Sequence, residues 1–254
     1  TGSFGLKIDK EKATTLYKKS CDGGYASGCT EYGLLYAPPP KGLDEPNAAK
    51  ALELFKRGCN GKVAKACGFL GIAYAYGKGG YSIDLDKAFA LFKQSCDGMS
   101  SDGCNRLGFA YESGKGTPAD PVKAGTAYDR GCKAGSSAAC TKLGVLHQKG
   151  LGVAADKEKA VTLFEKACNQ KNTDACAHLG EANELGDGVA YNFDKAKELY
   201  KKACDGGLTS ACDHVKTMKP GKKPPPPVVA PKPPVAPTSS VKKPPPPPPP
   251  PPKK

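Results

Sequence analysis

The sequence predicts an all-α, right-handed α-solenoid of helix-turn-helix repeats of about 36 residues each, followed by an extended Pro/Lys-rich C-terminal tail. Three observations predict it. Six times a cysteine is followed eight residues later by another: Cys21 by Cys29, Cys59 by Cys67, Cys96 by Cys104, Cys132 by Cys140, Cys168 by Cys176 and Cys204 by Cys212, which together use all 12 cysteines. The pairs recur every 38, 37, 36, 36 and 36 residues, a period at which each unit buries its apolar face only against its neighbours. Around each pair the apolar residues fall three and four apart, the spacing of one helix face.

The helix ahead of each pair repeats closely. Eight residues before the first cysteine stands Ala13, Ala51, Ala88, Ala124, Ala160 or Ala196, each preceded by a lysine. Five before it stands Leu16, Leu54, Leu91, Ala127, Leu163 or Leu199, and four before it an aromatic: Tyr17, Phe55, Phe92, Tyr128, Phe164 or Tyr200. The helix after each pair has Tyr32, Leu70, Leu107, Leu143, Leu179 or Val215 three residues past the second cysteine, in five cases followed by glycine. Seven residues past it come Tyr36, Tyr74, Tyr111, His147 and Asn183. Four units then carry Gly-x-Gly, at Gly77/Gly79, Gly114/Gly116, Gly150/Gly152 and Gly186/Gly188, where a helix ends in a left-handed residue. Asp84, Asp120-Pro121, Asp156 and Asn192 open the next helix. The first such loop departs, with a triple proline in Ala37–Pro46 and two extra residues. Residues 1–9 (TGSFGLKID) read like the loop between two helices, which implies at least one helix upstream.

Residues 1–218 thus form one stack and residues 219–254 a different segment. The latter holds 18 of the 24 prolines, eight lysines and no acid. It accounts for +8 of the formal net charge of +13, so the body is nearly balanced, with 30 basic and 25 acidic residues. The basicity of the whole chain therefore does not indicate a nucleic-acid-binding body. Proline runs exclude helix and inner strand and favour polyproline II at roughly 3.1 Å per residue, about 100 Å in all. Three roles fit the tail: a basic spacer touching an anionic cell-envelope polymer, a ligand for a proline-recognition domain, or a solvated terminus. No apolar stretch approaches 18 residues, so no transmembrane helix is expected.

Leu-Gly-x-x-Tyr, Gly-x-Gly and Asp-x-x-Lys-Ala-x-x-x-[Tyr/Phe] at this period resemble the Sel-1-like repeat, a relative of the tetratricopeptide repeat. The added cysteines resemble the cysteine-rich, secreted bacterial branch of that family. Eight residues across a tight helical turn bring two Cα atoms within disulfide reach, and each closed loop would stabilise by roughly 2.5 kcal/mol. Zinc prefers shorter cysteine spacings with histidine close by, and free buried thiols as small hydrophobes are a third reading. Complete pairing would place the chain in an oxidising compartment, periplasmic or extracellular.

No catalytic constellation emerges, and neither a cofactor nor a metal is expected. His147, His178 and His214 sit in different units, the last two at an offset that elsewhere holds Glu31, Phe69, Arg106 and Lys142, which reads as exposed. Some cysteine-rich relatives have been linked to β-lactam binding and slow hydrolysis. The matching Ser-x-x-Lys occurs only in the tail, at Ser239 and Ser240, where nothing would hold a nucleophile. The resemblance to tetratricopeptide solenoids implies that the helix after each second cysteine lines a concave face, with four offsets pointing inward: Lys65, Gly68, Ile72 and Ala75; Asp102, Asn105, Phe109 and Glu112; Ala138, Thr141, Val145 and Gln148. Leu34, Ile72, Phe109 and Val145 would form an apolar stripe for a peptide, or pack on the neighbouring helix. The expected partner contacts are Ile72, Asn105, Phe109, Glu112, Thr141 and Val145, with Asn105 and Phe109 foremost. The function so read is a non-enzymatic exported scaffold for a protein or peptide. A weak β-lactam- or peptidoglycan-fragment-binding hydrolase and a cytosolic adaptor with reduced cysteines are the alternatives.

Overall fold

A computed structural model of the chain describes residues 9–37, 42–44 and 47–219. By internal contacts the chain divides into Thr1–Lys223 and Pro224–Lys254. The second unit, the triple proline and Ser239/Ser240 lie outside the described residues. Among the described residues there are twelve α-helices, a 3-10 turn at Gly42–Asp44, and no strand. The helices carrying each first cysteine are α1 (Lys10–Asp22), α3 (Ala48–Asn60), α5 (Leu85–Asp97), α7 (Pro121–Lys133), α9 (Lys157–Asn169) and α11 (Phe193–Asp205). Those carrying each second cysteine are α2 (Ala26–Tyr36), α4 (Ala64–Tyr76), α6 (Ser101–Ser113), α8 (Ser137–Lys149), α10 (Thr173–Leu185) and α12 (Thr209–Thr217).

The boundaries follow the predicted caps. The carboxylates of Asp84, Asp120 and Asp156 and the amide oxygen of Asn192 accept from the backbone N–H three residues on, at 2.8–2.9 Å, which satisfies donors a helix start leaves orphaned. Gly77, Gly114, Gly150 and Gly186 end the even-numbered helices with φ between +65° and +70°. A β-carbon is disfavoured in that left-handed conformation. The short turn between the helices of a unit also needs a left-handed residue. Gly24, Gly135 and Gly207 supply it in three units, whereas Lys62, Met99 and Lys171 adopt φ of 61–64° in the others, at a cost of about 1 kcal/mol each.

Of the three readings open for the cysteines, the structure has the disulfide in every unit. Cys21 is bonded to Cys29, Cys59 to Cys67, Cys96 to Cys104, Cys132 to Cys140, Cys168 to Cys176 and Cys204 to Cys212, with Cα–Cα distances of 4.3–4.7 Å. No cysteine is free. The bridges are also part of the packing: Cys29, Cys67, Cys104, Cys140 and Cys176 are buried beneath the turns they close, while Cys212, in the last helix, is half-buried. Twelve bridged cysteines are the usage of an oxidising environment. No helix among the described residues is long and apolar enough to cross a membrane.

Between units the packing is equally regular. The aromatic ring of each odd helix from α3 onward is buried, and it lies against the glycine of the preceding even helix. An added β-carbon at Gly33, Gly71, Gly108 or Gly144 would sit 2.5–2.7 Å from Phe55, Phe92, Tyr128 or Phe164, and one at Gly180 would sit 3.2 Å from Tyr200. The glycine after the leucine and the aromatic of the next unit are therefore one constraint. In α12 the equivalent position is Lys216, and no following ring meets it among the described residues. Polar contacts reinforce the stack: Arg57, Arg130 and Lys166 donate to the carbonyls of Cys21, Cys96 and Cys132 in the preceding unit, at 2.6–3.1 Å. These basic groups satisfy carbonyls at helix C-termini. Leu16, 57% exposed, departs from its buried counterparts Leu54 and Leu199; among the described residues no even helix stands ahead of α1 to cover it.

Two outcomes check this frame. Native chain should take up no alkylating reagent until reduced, and losing any one bridge should lower stability by roughly 2–3 kcal/mol; free thiols in the native mass spectrum would contradict the pairing. Gly144→Ala offers a sign test, since helix propensity alone favours alanine by about 1 kcal/mol whereas overpacking against Phe164 costs about 1–3 kcal/mol. Urea unfolding should therefore show net destabilisation.

Candidate functional site: a shared concavity on the even-numbered helices

Each helix packs on the next along the series, and α4, α6 and α8 also meet one another across units. One open cavity of ≈ 270 Å³ draws residues from four even helices and their edges: Tyr76 of α4, Asn105, Arg106 and Phe109 of α6, Ala138, Thr141 and Lys142 of α8, and Asn172 and Asp174 at the start of α10, with Tyr128 of α7 behind them. A neighbouring cavity of ≈ 260 Å³ shares Tyr76, Arg106 and Phe109 and is floored by Ala88, Phe89 and Phe92 of α5. Phe109, 41% exposed, stands between the two.

Of the expected contacts, Asn105, Phe109 and Thr141 meet in the first cavity. Thr141 is buried and its hydroxyl donates to the Ser137 carbonyl at 2.8 Å, within its own helix. Ile72 is half-buried between two core clusters, and Val145 is half-buried against the core of the following unit. Of the stripe Leu34, Ile72, Phe109 and Val145, Phe109 is the exposed member. Glu112 is exposed but engaged: the Tyr128 hydroxyl donates to its Oε2 at 2.6 Å, and Lys142 Nζ lies 3.5 Å away.

The Tyr–Glu pair recurs 72 residues on, where Glu184 Oε2 accepts from Tyr200 at 3.1 Å and lies 2.9 Å from His214 Nε2, at the offset of Lys142. The offset of Glu112 and Glu184 carries glutamate only where the next ring is a tyrosine. Ala37, Ala75 and Gln148 stand at that offset ahead of Phe55, Phe92 and Phe164. A phenylalanine brings no hydroxyl, whereas a buried tyrosine hydroxyl needs an acceptor. Burial foremost, and then the adjacent carboxylate, push the phenols of Tyr128 and Tyr200 well above their ordinary pKa.

The offset of Arg106 and Lys142 reads as exposed in the sequence; Lys142 and His214 are exposed, whereas Phe69, Arg106 and His178 are half-buried. Phe69 and His178 stack on Phe55 and Phe164, at 4.6 and 5.0 Å between ring centroids. Arg106 lies over Phe92, and His214 tilts against Tyr200 at 4.5 Å. Flat or cationic side chains can cover an aromatic ring, and Phe69, Arg106, His178 and His214 do so, whereas Glu31 and Lys142 at the same offset face Lys65 and Glu112. His147 is buried, with Nδ1 3.0 Å from the Ala154 carbonyl. No group of three or more His, Cys, Asp or Glu side chains among the described residues is placed to hold a metal ion.

The Sel1 repeat profile matches residues 1–25, 26–62, 64–98, 101–135, 137–172 and 173–208. The chain belongs to the Sel1 repeat family. Among solved structures it is similar to a Sel1 repeat protein from Oxalobacter formigenes, with a TM-score of 0.69, 18% identity, and coverage of 82% of this chain and 92% of that one. It is also similar to c5321, a protective antigen present in uropathogenic Escherichia coli strains, with a TM-score of 0.67 at 22% identity. That match covers 77% of this chain but only 41% of the length of c5321. The cysteine rich protein B of Helicobacter pylori matches at 28% identity over 52% of this chain and 94% of its own, with a TM-score of 0.43. Among curated proteins none matches in sequence. The likeness to the first two is one of fold, and membership of the Sel1 repeat family makes the body a repeat scaffold suited to protein–protein interaction.

The Tyr–Glu pair can be tested by a double-mutant cycle. Glu112→Ala should destabilise by about 1–3 kcal/mol, because it strands a buried hydroxyl, and adding Tyr128→Phe should recover most of the loss. The raised folded pKa of Tyr128 also has a pH consequence. Its stabilisation is complete below the unfolded phenol value near 10 and fades as pH climbs beyond it. Unfolding curves from about pH 9 upward should thus show a shallower alkaline decline in Tyr128→Phe than in the parent.

Proposed function

We propose that this Sel1 repeat protein is a non-enzymatic exported scaffold that binds a protein or peptide on the concave face of its even-numbered helices. The observation that carries this reading is the shared cavity. Side chains from α4, α6, α8 and α10 converge on one ≈ 270 Å³ space, as they do where a stack of helices curves inward. An exposed aromatic at its centre, flanked by Asn105 and charged groups, has the character of a binding surface: an apolar anchor within a polar rim. Asn105, Phe109, Glu112 and Thr141 are the contacts on this reading, with Ile72 and Val145 supporting them from the unit boundaries.

Export is supported by the six disulfides, which also speak against a cytosolic adaptor with reduced cysteines. Either the periplasm or the cell exterior satisfies that requirement. The 219–254 segment serves as a basic spacer or second binding element, facing an anionic envelope polymer or a proline-recognition domain; eight lysines without an acid support the electrostatic part of that role.

Replacing Phe109 with a photo-crosslinking phenylalanine analogue in the native host should yield a discrete protein adduct. The same analogue at Glu158, on the exposed side of α9, should not. Equal adducts at both positions, or none at Phe109, would remove the concave face as the binding surface.

A further inference from the structure

We infer that the groove between α4 and α6 takes an acidic peptide segment that seats an apolar side chain beside its carboxylates. This assignment rests on the concave-face reading and narrows it to one partner chemistry. The ≈ 260 Å³ cavity is apolar in its walls: Leu85 and Phe89 from α5 and Ile83 from the preceding loop face Tyr76 and Phe109 across it. Four of these side chains are abnormally open to water for their size, Tyr76 at 55%, Ile83 at 66%, Leu85 at 37% and Phe109 at 41%. They form one cluster rather than scattered exposures, and such clusters mark interaction sites.

Charge decides what enters. Arg106 and Lys115 line this cavity and no acidic residue does. Both cations are laid against its aromatic walls, Lys115 Nζ 5.4 Å from the centre of the Phe109 ring and Arg106 5.9 Å from that of Phe92. Arg106 is held there by an ion pair with Asp102, which accepts from its Nε at 2.7 Å and offsets much of its charge, so the positive potential at this rim comes mainly from Lys115. A cation resting on an apolar wall presents positive potential at the rim of an apolar hole. A carboxylate next to an aliphatic or aromatic residue complements that combination, and a basic or uncharged segment does not. The occupant is a chain rather than a compact solute because the ≈ 270 Å³ space on α8 shares Tyr76, Arg106 and Phe109 with this cavity. That second space is mixed in charge, with Lys142 facing Glu112 at 3.5 Å and Asp174 in its lining, so the acidic residues of the segment belong on the Lys115 side.

The test is selection of random twelve-residue peptides displayed on phage against the full oxidised chain, followed by affinity measurement of the enriched sequences as synthetic peptides. The expected result is enrichment of sequences with two or more Asp or Glu flanking a Leu, Ile, Phe or Tyr. Binding should weaken at least tenfold in Phe109→Ala and in the paired variant Arg106→Gln/Lys115→Gln, stay unchanged in Lys197→Gln on α11, and decline with added salt. All variants are compared at equal thermal stability, and Lys115→Gln alone, at an exposed loop position, serves if the paired variant unfolds. Enriched peptides that are basic or uncharged but lose binding in Phe109→Ala would overturn the acidic-partner assignment while leaving the groove. Peptides indifferent to Phe109→Ala, or no enrichment, would overturn this assignment and the concave-face reading together.

Discussion

The fold depends on an aromatic ring pressed against a bare helix backbone. Gly71 against Phe92 and Gly144 against Phe164 are two instances of a contact made five times. With 2.6–2.7 Å available to a hypothetical β-carbon at these two sites, no larger residue fits unless the ring or its helix shifts. A mid-helix glycine costs about 1 kcal/mol relative to alanine, and the chain accepts that cost repeatedly because the ring then seats close to the neighbouring helix and is buried there. The spacing between units follows from this contact, and with it the separation of successive even helices that opens the groove.

Rings and disulfides divide the work. A ring on a glycine joins one unit to the next, while a disulfide such as that of Cys96 with Cys104 fixes the two helices within a unit across a turn too short to bury much apolar surface. A stack held only by its interfaces can fray unit by unit, and covalent closure of each turn opposes fraying at its weakest place. It also explains why the left-handed turn position tolerates Lys62, Met99 and Lys171. Their backbone strain is about 1 kcal/mol each, small beside the roughly 2.5 kcal/mol expected of each closed loop.

The frame is legible in the sequence because it repeats. Cysteine pairs, alanines, aromatics, Gly-x-Gly and the capping Asp84, Asp120, Asp156 and Asn192 can be checked against one another from unit to unit, and the helices follow them. The site is less legible for the opposite reason, since what distinguishes one unit from another appears once. Asn105 and Phe109 are accessible through their offset. Arg106 and Lys142 escape a sequence reading because a position holding Glu31, Phe69, Arg106, Lys142, His178 and His214 looks like unconstrained surface. Only the packed structure shows that four of them, Phe69, Arg106, His178 and His214, cover an aromatic face. Tyr76 and Lys115 belong to helix ends and loops whose approach to α6 depends on the packing of three units, which no local pattern reports.

The boundary between frame and surface therefore does not follow a fixed repeat offset. Glu112 and Gln148 occupy the same offset, yet Glu112 is bound to the buried hydroxyl of Tyr128 while Gln148 stands ahead of Phe164, which has no hydroxyl to satisfy. Ile72 and Phe109 likewise share an offset; Ile72 is wedged between cores and Phe109 opens to water. Each unit uses a different subset of these offsets to hold its neighbours, and the remaining side chains stay open to water. Around α6 the open side chains include an aromatic, an amide and the cation Lys115, while Arg106 is paired with Asp102 and Lys142 faces Glu112.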